Sequence, residues 1–188
     1  MRANSSPFSS LPRQRVNKGF TLIEVLVAFI ILTVGLLGTV ALQTNAKQAS
    51  YDANQRSAAL ALANDIVERI RANDTADIVA NYSKTFSYKD TPVAKNCLNT
   101  RCSANGIAEY DLYQWQKALR VADNTGSLAN GTVCITPVLD DNGVSLRVVV
   151  AWQGRQKLIE TSNKNVQCGT ISNRRTVVID SYVFMRAA

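Results

Sequence analysis

The chain has 188 residues, which suffices for one domain of ordinary size, and its opening third has the composition of a membrane-linked helix rather than of a globular core. Its formal net charge is +7, but four of the basic residues precede residue 20, in a stretch that has no acidic residue. Without those four the charge is +3, which is not a strong signature of nucleic-acid binding.

The first 19 residues form a polar leader that is rich in Ser, Pro, Arg and Asn. This composition predicts a disordered segment. The basic residues of the leader are Arg2, Arg13, Arg15 and Lys18. Because positive charge beside a membrane span is retained in the cytoplasm, we predict a cytoplasmic N-terminus and an exported, periplasmic C-terminal region.

An apolar segment runs from residue 20 to residue 42 and contains a single charged residue. A helix of about 20 residues crosses a bilayer core of about 30 Å, so the segment predicts one inner-membrane span in contact with lipid. A secretory signal peptide is the alternative, but its apolar region covers only about 7–15 residues and ends at a small-residue cleavage site. The segment is longer than that, and no clear site of this kind follows it.

The one charge inside the apolar segment is Glu24. A carboxylate at such a position costs roughly 2–3 kcal/mol on insertion scales and is rarely left without a partner. Glu24 therefore indicates a functional interaction. The alternative is a carboxylate that is protonated or that reaches the membrane interface.

Residues 18–25 read KGFTLIEV, which resembles the prepilin signal of type IV pilins and type II secretion pseudopilins. The resemblance implies that a membrane aspartyl peptidase, the prepilin peptidase, cuts between Gly19 and Phe20. It implies that Phe20 becomes an N-methylated N-terminus. It also implies a role in subunit assembly for Glu24, whose carboxylate neutralises the cationic amine of an adjacent subunit in a low-dielectric setting.

A second resemblance covers more of the chain. The segments VGLLGTVALQ, EYDLYQW, NGTVC and VVVAW are similar, in this order, to segments of the type IV pilus modification protein PilV; they occupy residues 34–43, 109–115, 130–134 and 148–152. This resemblance implies a minor pilin of a type IV pilus, with other minor and major pilins and the inner-membrane assembly platform as partners. The alternatives are a type II secretion pseudopilin and a pilus-tip minor pilin that binds DNA or a surface.

The helical pattern continues beyond the apolar segment. Alanine and isoleucine residues recur mostly every three or four positions between residues 46 and 70, and charged residues occupy other positions. We predict that the helix continues over residues 43–73 and stops at the sequence NDT, residues 73–75. With residues 74–188 as a head, the prediction is an α+β type IV pilin fold in which the long helix packs on a small antiparallel sheet.

Residues 74 to about 107 are polar and lack a sustained period, which predicts an irregular connection. Beyond it, Ala108, Leu112, Trp115 and Leu119 recur every three or four residues. They predict a short amphipathic helix with Trp115 as a core anchor. A tryptophan that stacks on a ligand is the alternative.

Three strand-like runs follow, at residues 132–139, 144–152 and 176–185. The first two flank the turn sequence DDNG at residues 140–143, so they predict an antiparallel hairpin. A weaker run at residues 157–161 predicts a further strand between this hairpin and the last run.

All four cysteines follow the span: Cys97, Cys102, Cys134 and Cys168. An oxidising periplasm favours disulfides, and three pairings are possible. Zinc is the alternative, although Cys134 and Cys168 are isolated and the chain has no histidine. A bond between Cys97 and Cys102 would tie off a short loop, and one between Cys134 and Cys168 would pin residues 163–175 to the first strand.

The sequence lacks the usual signals of catalysis. Without histidine no Ser-His-Asp or Cys-His arrangement exists, and no phosphate-binding loop or zinc spacing occurs, so we predict no catalytic residue, no cofactor and no metal. Asp140 and Asp141 lie beside an Asn-Gly pair and are interpreted as turn residues rather than as a calcium or acid-base site. Arg174 and Arg175 are interpreted as solvated surface, with contact to DNA as the alternative.

Overall fold

The computed structural model describes residues 19–155, 166–170 and 172–185. The chain divides into two compact units, Met1–Ala46 and Lys47–Ala188. The described residues form three helices and four strands: α1 (Leu22–Ala72), α2 (Ile78–Tyr82), α3 (Ala104–Asn124), β1 (Lys84–Ser87), β2 (Thr132–Asp140), β3 (Gly143–Gln153) and β4 (Arg174–Phe184).

The first unit holds the apolar part of α1. Every described residue from 19 to 46 is exposed, although many of the side chains are large and apolar. The most apolar window of α1 has a mean hydropathy of 2.7, and by length and composition this helix is the one candidate membrane span among the described residues. Apolar side chains that the protein itself leaves uncovered fit a lipid environment, as expected of a membrane anchor.

The same helix has a buried stripe in the second unit. Its members recur at three- or four-residue spacing: Gln55, Ala59, Ala63, Ile66, Val67 and Ile70. The apolar members of this stripe pack in one core with side chains of α2, α3 and one face of the sheet. Helix α1 ends at Ala72, directly before the NDT sequence, so the predicted helix end is confirmed.

The sheet has the strand order β1-β2-β3-β4, and all of its strand pairs are antiparallel. Because side chains of a strand alternate between the two faces, every second residue of β3 reaches the core. These residues are Val144, Leu146, Val148, Val150 and Trp152. The long helix and the small antiparallel sheet confirm the predicted α+β architecture.

The predicted hairpin is also confirmed. Strand β2 pairs with β3 up to Asp140 opposite Gly143, which leaves Asp141 and Asn142 as a two-residue turn. Glycine is needed after this turn because a Cβ at Gly143 would collide with the carbonyl oxygen of Val183. Asp141 is therefore a turn residue, as interpreted from the sequence, and Asp140 is the last residue of β2, directly before the turn.

The connection over residues 74–107 is more ordered than predicted, and that prediction is wrong. It contains α2 and β1, which have five and four residues, respectively. Elements this short show no periodic pattern in a sequence. They are ordered by burial of Ile78, Tyr82 and Phe86 in the common core.

The predicted amphipathic helix is confirmed as α3. Its N-cap is Ser103, whose hydroxyl oxygen accepts the N–H of Gly106 at 3.2 Å. Trp115 is 1% exposed, and its indole Nε1–H donates to Asp65 Oδ2 at 2.8 Å. Trp115 is thus a core anchor, as predicted.

The last predicted strand is β4, which begins at Arg174, two residues earlier than expected. The weaker run at residues 157–161 lies outside the described residues. Strand β4 pairs directly with β3 along the whole length of β3, so no strand lies between these two in the sheet. Three of the four described strands correspond to predicted strands. The other one, β1, was missed by sequence reasoning.

Candidate processing and assembly site

The predicted processing junction lies just outside α1. Gly19 and Phe20 have no regular secondary structure, and the helix begins at Leu22. Phe20 is 84% exposed. The peptide bond between Gly19 and Phe20 therefore lies in non-helical backbone beside an exposed side chain.

Thr21 caps the first turn of α1. Its Oγ1 accepts the backbone N–H of Glu24 at 3.3 Å. Its carbonyl oxygen accepts the N–H of Glu24 at 3.1 Å and that of Val25 at 3.3 Å. Sequence reasoning missed this cap, although a Thr three residues before a Glu at the start of an apolar run is the signature of a capping box.

Glu24 lies in the first turn of α1 and is exposed. A negative charge at this position interacts favourably with the positive end of the helix dipole. The structure therefore places the three residues of the predicted site together at one helix end: Gly19, Phe20 and Glu24.

Two comparisons with known families bear on this part of the chain. The prokaryotic N-terminal methylation motif matches residues 14–40, which include the junction and Glu24. A family described as type IV pilin Tt1218 matches residues 41–113, directly after the motif. The chain belongs to the type IV pilins. With the methylation motif in place, it is a pilin precursor. No curated protein and no solved structure matches this pilin.

The pilin has the architecture expected of its family, a long apolar N-terminal helix and a small antiparallel sheet of four strands. Type IV pilins are structural subunits rather than enzymes. The methylation motif implies processing by prepilin peptidase and assembly with other pilins. Together with the apolar helix, the motif fits a protein anchored in the inner membrane.

The first disulfide of the pilin lies beside the start of α3. It joins Cys97 to Cys102, five residues away. The Cys102 side chain packs close to Gly106, where an added Cβ would be 3.2 Å from the Cys102 Cβ. None of the four cysteines is free, so none has a thiolate to offer to zinc.

The second disulfide covers part of the outer face of the sheet. It joins Cys134 of β2 to Cys168, 34 residues away. Cys168 packs on this face with Val149 and Ala151 of β3. The short segment that carries Cys168 is thereby fixed to the middle of the sheet.

Arg174 and Arg175 have structural roles, which corrects their interpretation as solvated surface. Arg174 donates to three backbone carbonyl oxygens of the segment before β4, at 2.6 to 3.0 Å: those of Val166, Cys168 and Gly169. Arg175 pairs with Asp52 of α1 at 3.3 Å. Both guanidinium groups are committed to the fold, so replacing them would disturb the fold in any test of DNA contact.

A buried polar network, which sequence reasoning also missed, joins the three helices within the second unit. Asp111 of α3 is 4% exposed and accepts hydrogen bonds from Arg69 Nη1 at 3.2 Å and from the Tyr82 hydroxyl at 2.9 Å. Asn73 Nδ2 donates to the Tyr82 oxygen at 2.9 Å. The position of Asp111, four residues before Trp115, is the signal that places its carboxylate on the apolar face of α3.

Burial controls the protonation of this network. It raises the pKa of the Asp111 carboxyl above its ordinary value, and the hydrogen bonds from Tyr82 and Arg69 offset the effect only in part. Burial likewise raises the pKa of Tyr82, so its hydroxyl stays a neutral donor to Asp111. The side chains of this network bond to one another, so the network stabilises the packing of the three helices within the second unit.

Proposed function

We propose that this pilin is a minor pilin of the PilV type, which is cut between Gly19 and Phe20, methylated at the new Phe20 amine, and incorporated into a type IV pilus or used to prime its assembly. The observation that carries the proposal is the coincidence of the motif KGFTLIEV with the start of an apolar helix that the protein leaves uncovered. Cleavage at this junction makes the mature chain begin one residue before the helix cap.

In this proposal Glu24 pairs with the amine of an adjacent subunit. After cleavage Phe20 carries a cationic amine, and Glu24 lies four residues further along the chain, in the first helical turn. A lone ammonium and a lone carboxylate are both costly in a medium of low dielectric constant, and pairing them between neighbours removes much of that cost. The pair also favours one register between neighbouring helices, which filament growth requires.

The proposal places the N-terminus in the cytoplasm and the head in the periplasm. The basic residues of the leader precede the apolar helix, and positive charge is retained on the cytoplasmic side. The two disulfides form in an oxidising compartment, which lies on the other side of the inner membrane. These independent observations support the same orientation.

The refinement to a PilV-type minor pilin is supported by the resemblance of the EYDLYQW segment. This segment lies on α3, where Asp111 and Trp115 are buried. The resemblance therefore concerns residues that build the core rather than a binding surface, and it favours a shared architecture of the head. A type II secretion pseudopilin remains the alternative.

The test of processing is the intact mass and N-terminal sequence of the protein from membranes of cells with and without prepilin peptidase. With the peptidase we expect a chain that begins at Phe20 and carries one added methyl group. Without it we expect residues 1–19 to be retained. An unchanged N-terminus in the presence of peptidase would overturn the proposed processing. The protein would then be a single-pass membrane-anchored protein that the peptidase does not cut.

The test of the filament type is co-purification. The mature protein is expected in sheared type IV pili of the same cells, at a level below that of the major subunit. Recovery only with the pseudopilins of a secretion system would overturn the assignment to a pilus and leave the processing intact.

A further inference from the structure

We infer that Thr21 is a positioning residue for processing: its cap holds the start of α1 at Leu22 and thereby keeps the Gly19 carbonyl out of the helix. The inference rests on the proposed cleavage between Gly19 and Phe20. It adds a role for a side chain on the mature side of that bond.

The Thr21 hydroxyl adds an acceptor at the start of α1, where backbone donors outnumber acceptors. The first N–H groups of any α-helix lack an intrahelical carbonyl, and near lipid there is little water to replace one. In α1, the Glu24 N–H is one of these donors, and it is shared between the Oγ1 of Thr21 at 3.3 Å and the Thr21 carbonyl oxygen at 3.1 Å. The Val25 N–H forms the first regular helical bond, to the same carbonyl oxygen. An unsatisfied donor in an apolar setting is costly, so the cap determines where the helix begins.

Extension of the helix is the other way to satisfy these donors. One further turn would bond the N–H of Ile23 to the carbonyl oxygen of Gly19, because helical bonds join residues four apart. Asn17 precedes that turn in the sequence and is a favourable N-cap residue, so the longer helix has a cap of its own. Loss of the Thr21 hydroxyl therefore favours this extension.

A helical Gly19 is a poor substrate. Hydrolysis of a peptide bond requires that donors of the enzyme polarise the carbonyl oxygen while water attacks the carbonyl carbon. A carbonyl oxygen that already accepts a helical N–H is turned along the helix axis and is not presented to those donors. The Thr21 cap keeps the scissile carbonyl free because it makes the helix begin at Leu22, three residues after Gly19.

The other threonines of the apolar part of α1 behave differently. Their hydroxyl groups each donate to the carbonyl oxygen three residues earlier, at 2.8 Å: Thr33 to Ile30, Thr39 to Leu36 and Thr44 to Ala41. The Thr21 hydroxyl instead accepts from the residue three positions later. The same residue type thus has a cap role at one position only, and Thr33 supplies a matched control.

The experiment measures cleavage of the full-length precursor in membrane vesicles by purified prepilin peptidase. Thr21→Val removes the hydroxyl and keeps the shape, Thr21→Ser keeps the hydroxyl, and Thr33→Val removes a hydroxyl elsewhere in the helix. Loss of an N-cap corresponds to about a fivefold change in an equilibrium, so we expect cleavage of Thr21→Val to be about fivefold slower than wild type. Thr21→Ser and Thr33→Val should be cut at the wild-type rate. Only precursor with a correctly inserted head, assessed by its disulfides, is counted.

A second readout reports the conformation itself. The carbonyl ¹³C shift of Gly19 in lipid nanodiscs should be non-helical in wild type and in Thr21→Ser, and should move to the helical range in Thr21→Val. If wild type is not cut at all, the proposed function fails. If wild type is cut, the inference is overturned by equal rates for Thr21→Val and wild type, by a Thr21→Ser rate as slow as that of Thr21→Val, or by a Gly19 shift that does not change.

Discussion

Glu24 and Asp111 show how surroundings give two carboxylates different roles. Glu24 is exposed in the first turn of an apolar helix, and we propose that its counter-charge belongs to a neighbouring subunit. Asp111 is buried within one subunit and has its partners, Arg69 and Tyr82, in the same chain. Substitution of the first should affect assembly, and substitution of the second should affect stability.

Glu24→Gln removes the charge and keeps the shape. We expect normal cleavage, because the junction at Gly19 is unchanged, and about tenfold less incorporation into pili, because an ammonium without its counter-ion is costly in a low-dielectric setting. Incorporation is measured as the ratio of mature protein in sheared pili to that in membranes. Thr39→Val, which removes a polar group from the same apolar segment, should leave this ratio unchanged. Equal incorporation of Glu24→Gln and wild type would contradict the proposed ion pair.

Asp111→Asn leaves one side-chain oxygen where the carboxylate has two, so Arg69 or Tyr82 loses an acceptor. We expect the free energy of unfolding to fall by about 1–3 kcal/mol. Urea unfolding of the full chain in detergent micelles, followed by tryptophan fluorescence, measures this loss. Asp77→Asn, at an exposed position, is the control and should change stability little.

The stability loss of Asp111→Asn should also depend on pH. The pKa of Asp111 is raised by burial, so the folded protein binds this proton more tightly than the unfolded chain does. The contribution of Asp111 to stability therefore rises as the pH falls through its folded pKa, and asparagine has no such contribution. The difference between wild type and variant should grow between about pH 7 and about pH 4, whereas other carboxyl groups affect both proteins equally. A difference that shrinks on acidification would show that the pKa is not raised.

At the scale of elements, the disulfides connect segments that are separated very differently in sequence. The Cys134–Cys168 bond attaches the segment before β4 to the outer face of the sheet, where Arg174 also holds that segment. The Cys97–Cys102 bond closes a short loop at the start of α3. Their contributions to stability should follow these loop lengths.

Replacing both cysteines of each bond by serine tests this expectation. The chain-entropy model assigns about 4 kcal/mol to the longer loop and about 2 kcal/mol to the shorter one. Urea midpoints of the two double variants, compared with wild type at equal slopes, measure the two losses. Each variant is the control for the other, since both lose two sulfur atoms. Equal losses, or a larger loss at the start of α3, would contradict the expectation.

At the scale of the whole molecule, the distribution of charge along the chain is proposed to set its orientation. The head cysteines report on orientation, because they form disulfides in the periplasm and stay reduced in the cytoplasm. A change of orientation should therefore appear as free thiols. This readout requires no added tag.

Replacing the four basic residues of the leader by glutamine should invert the protein in a large fraction of molecules. Maleimide mass-tagging of unreduced protein measures the outcome: wild type should carry no tag, and inverted molecules should carry four. The control removes the same number of positive charges from the head, far from the span: Lys84, Lys89, Arg101 and Lys117. An untagged leader variant would show that the leader charges do not determine orientation.

The membrane anchor, the capping-box sequence at Thr21 and the hairpin each depend on residues that are close together in the chain. The sequence by itself therefore determines these features. A membrane span depends on a continuous apolar run, and the proposed processing junction depends on eight adjacent residues. The hairpin needs two strand-like runs and a turn sequence between them. The periodicity of α3 likewise predicts Trp115 in the core, because the spacing of apolar residues along a helix defines the face that is buried.

Only the tertiary structure decided the remaining features, because they depend on residues that are distant in sequence. Helix α2 and strand β1 are too short to have a pattern of their own. Helix α2 is ordered by packing in the core, and β1 by pairing with β2. The partners of Asp111 lie 42 and 29 residues away, and those of Arg174 are backbone carbonyl groups that no residue type reveals. The cysteine pairing is of the same kind: it requires that two chain segments meet in space, and a one-dimensional spacing leaves three pairings open.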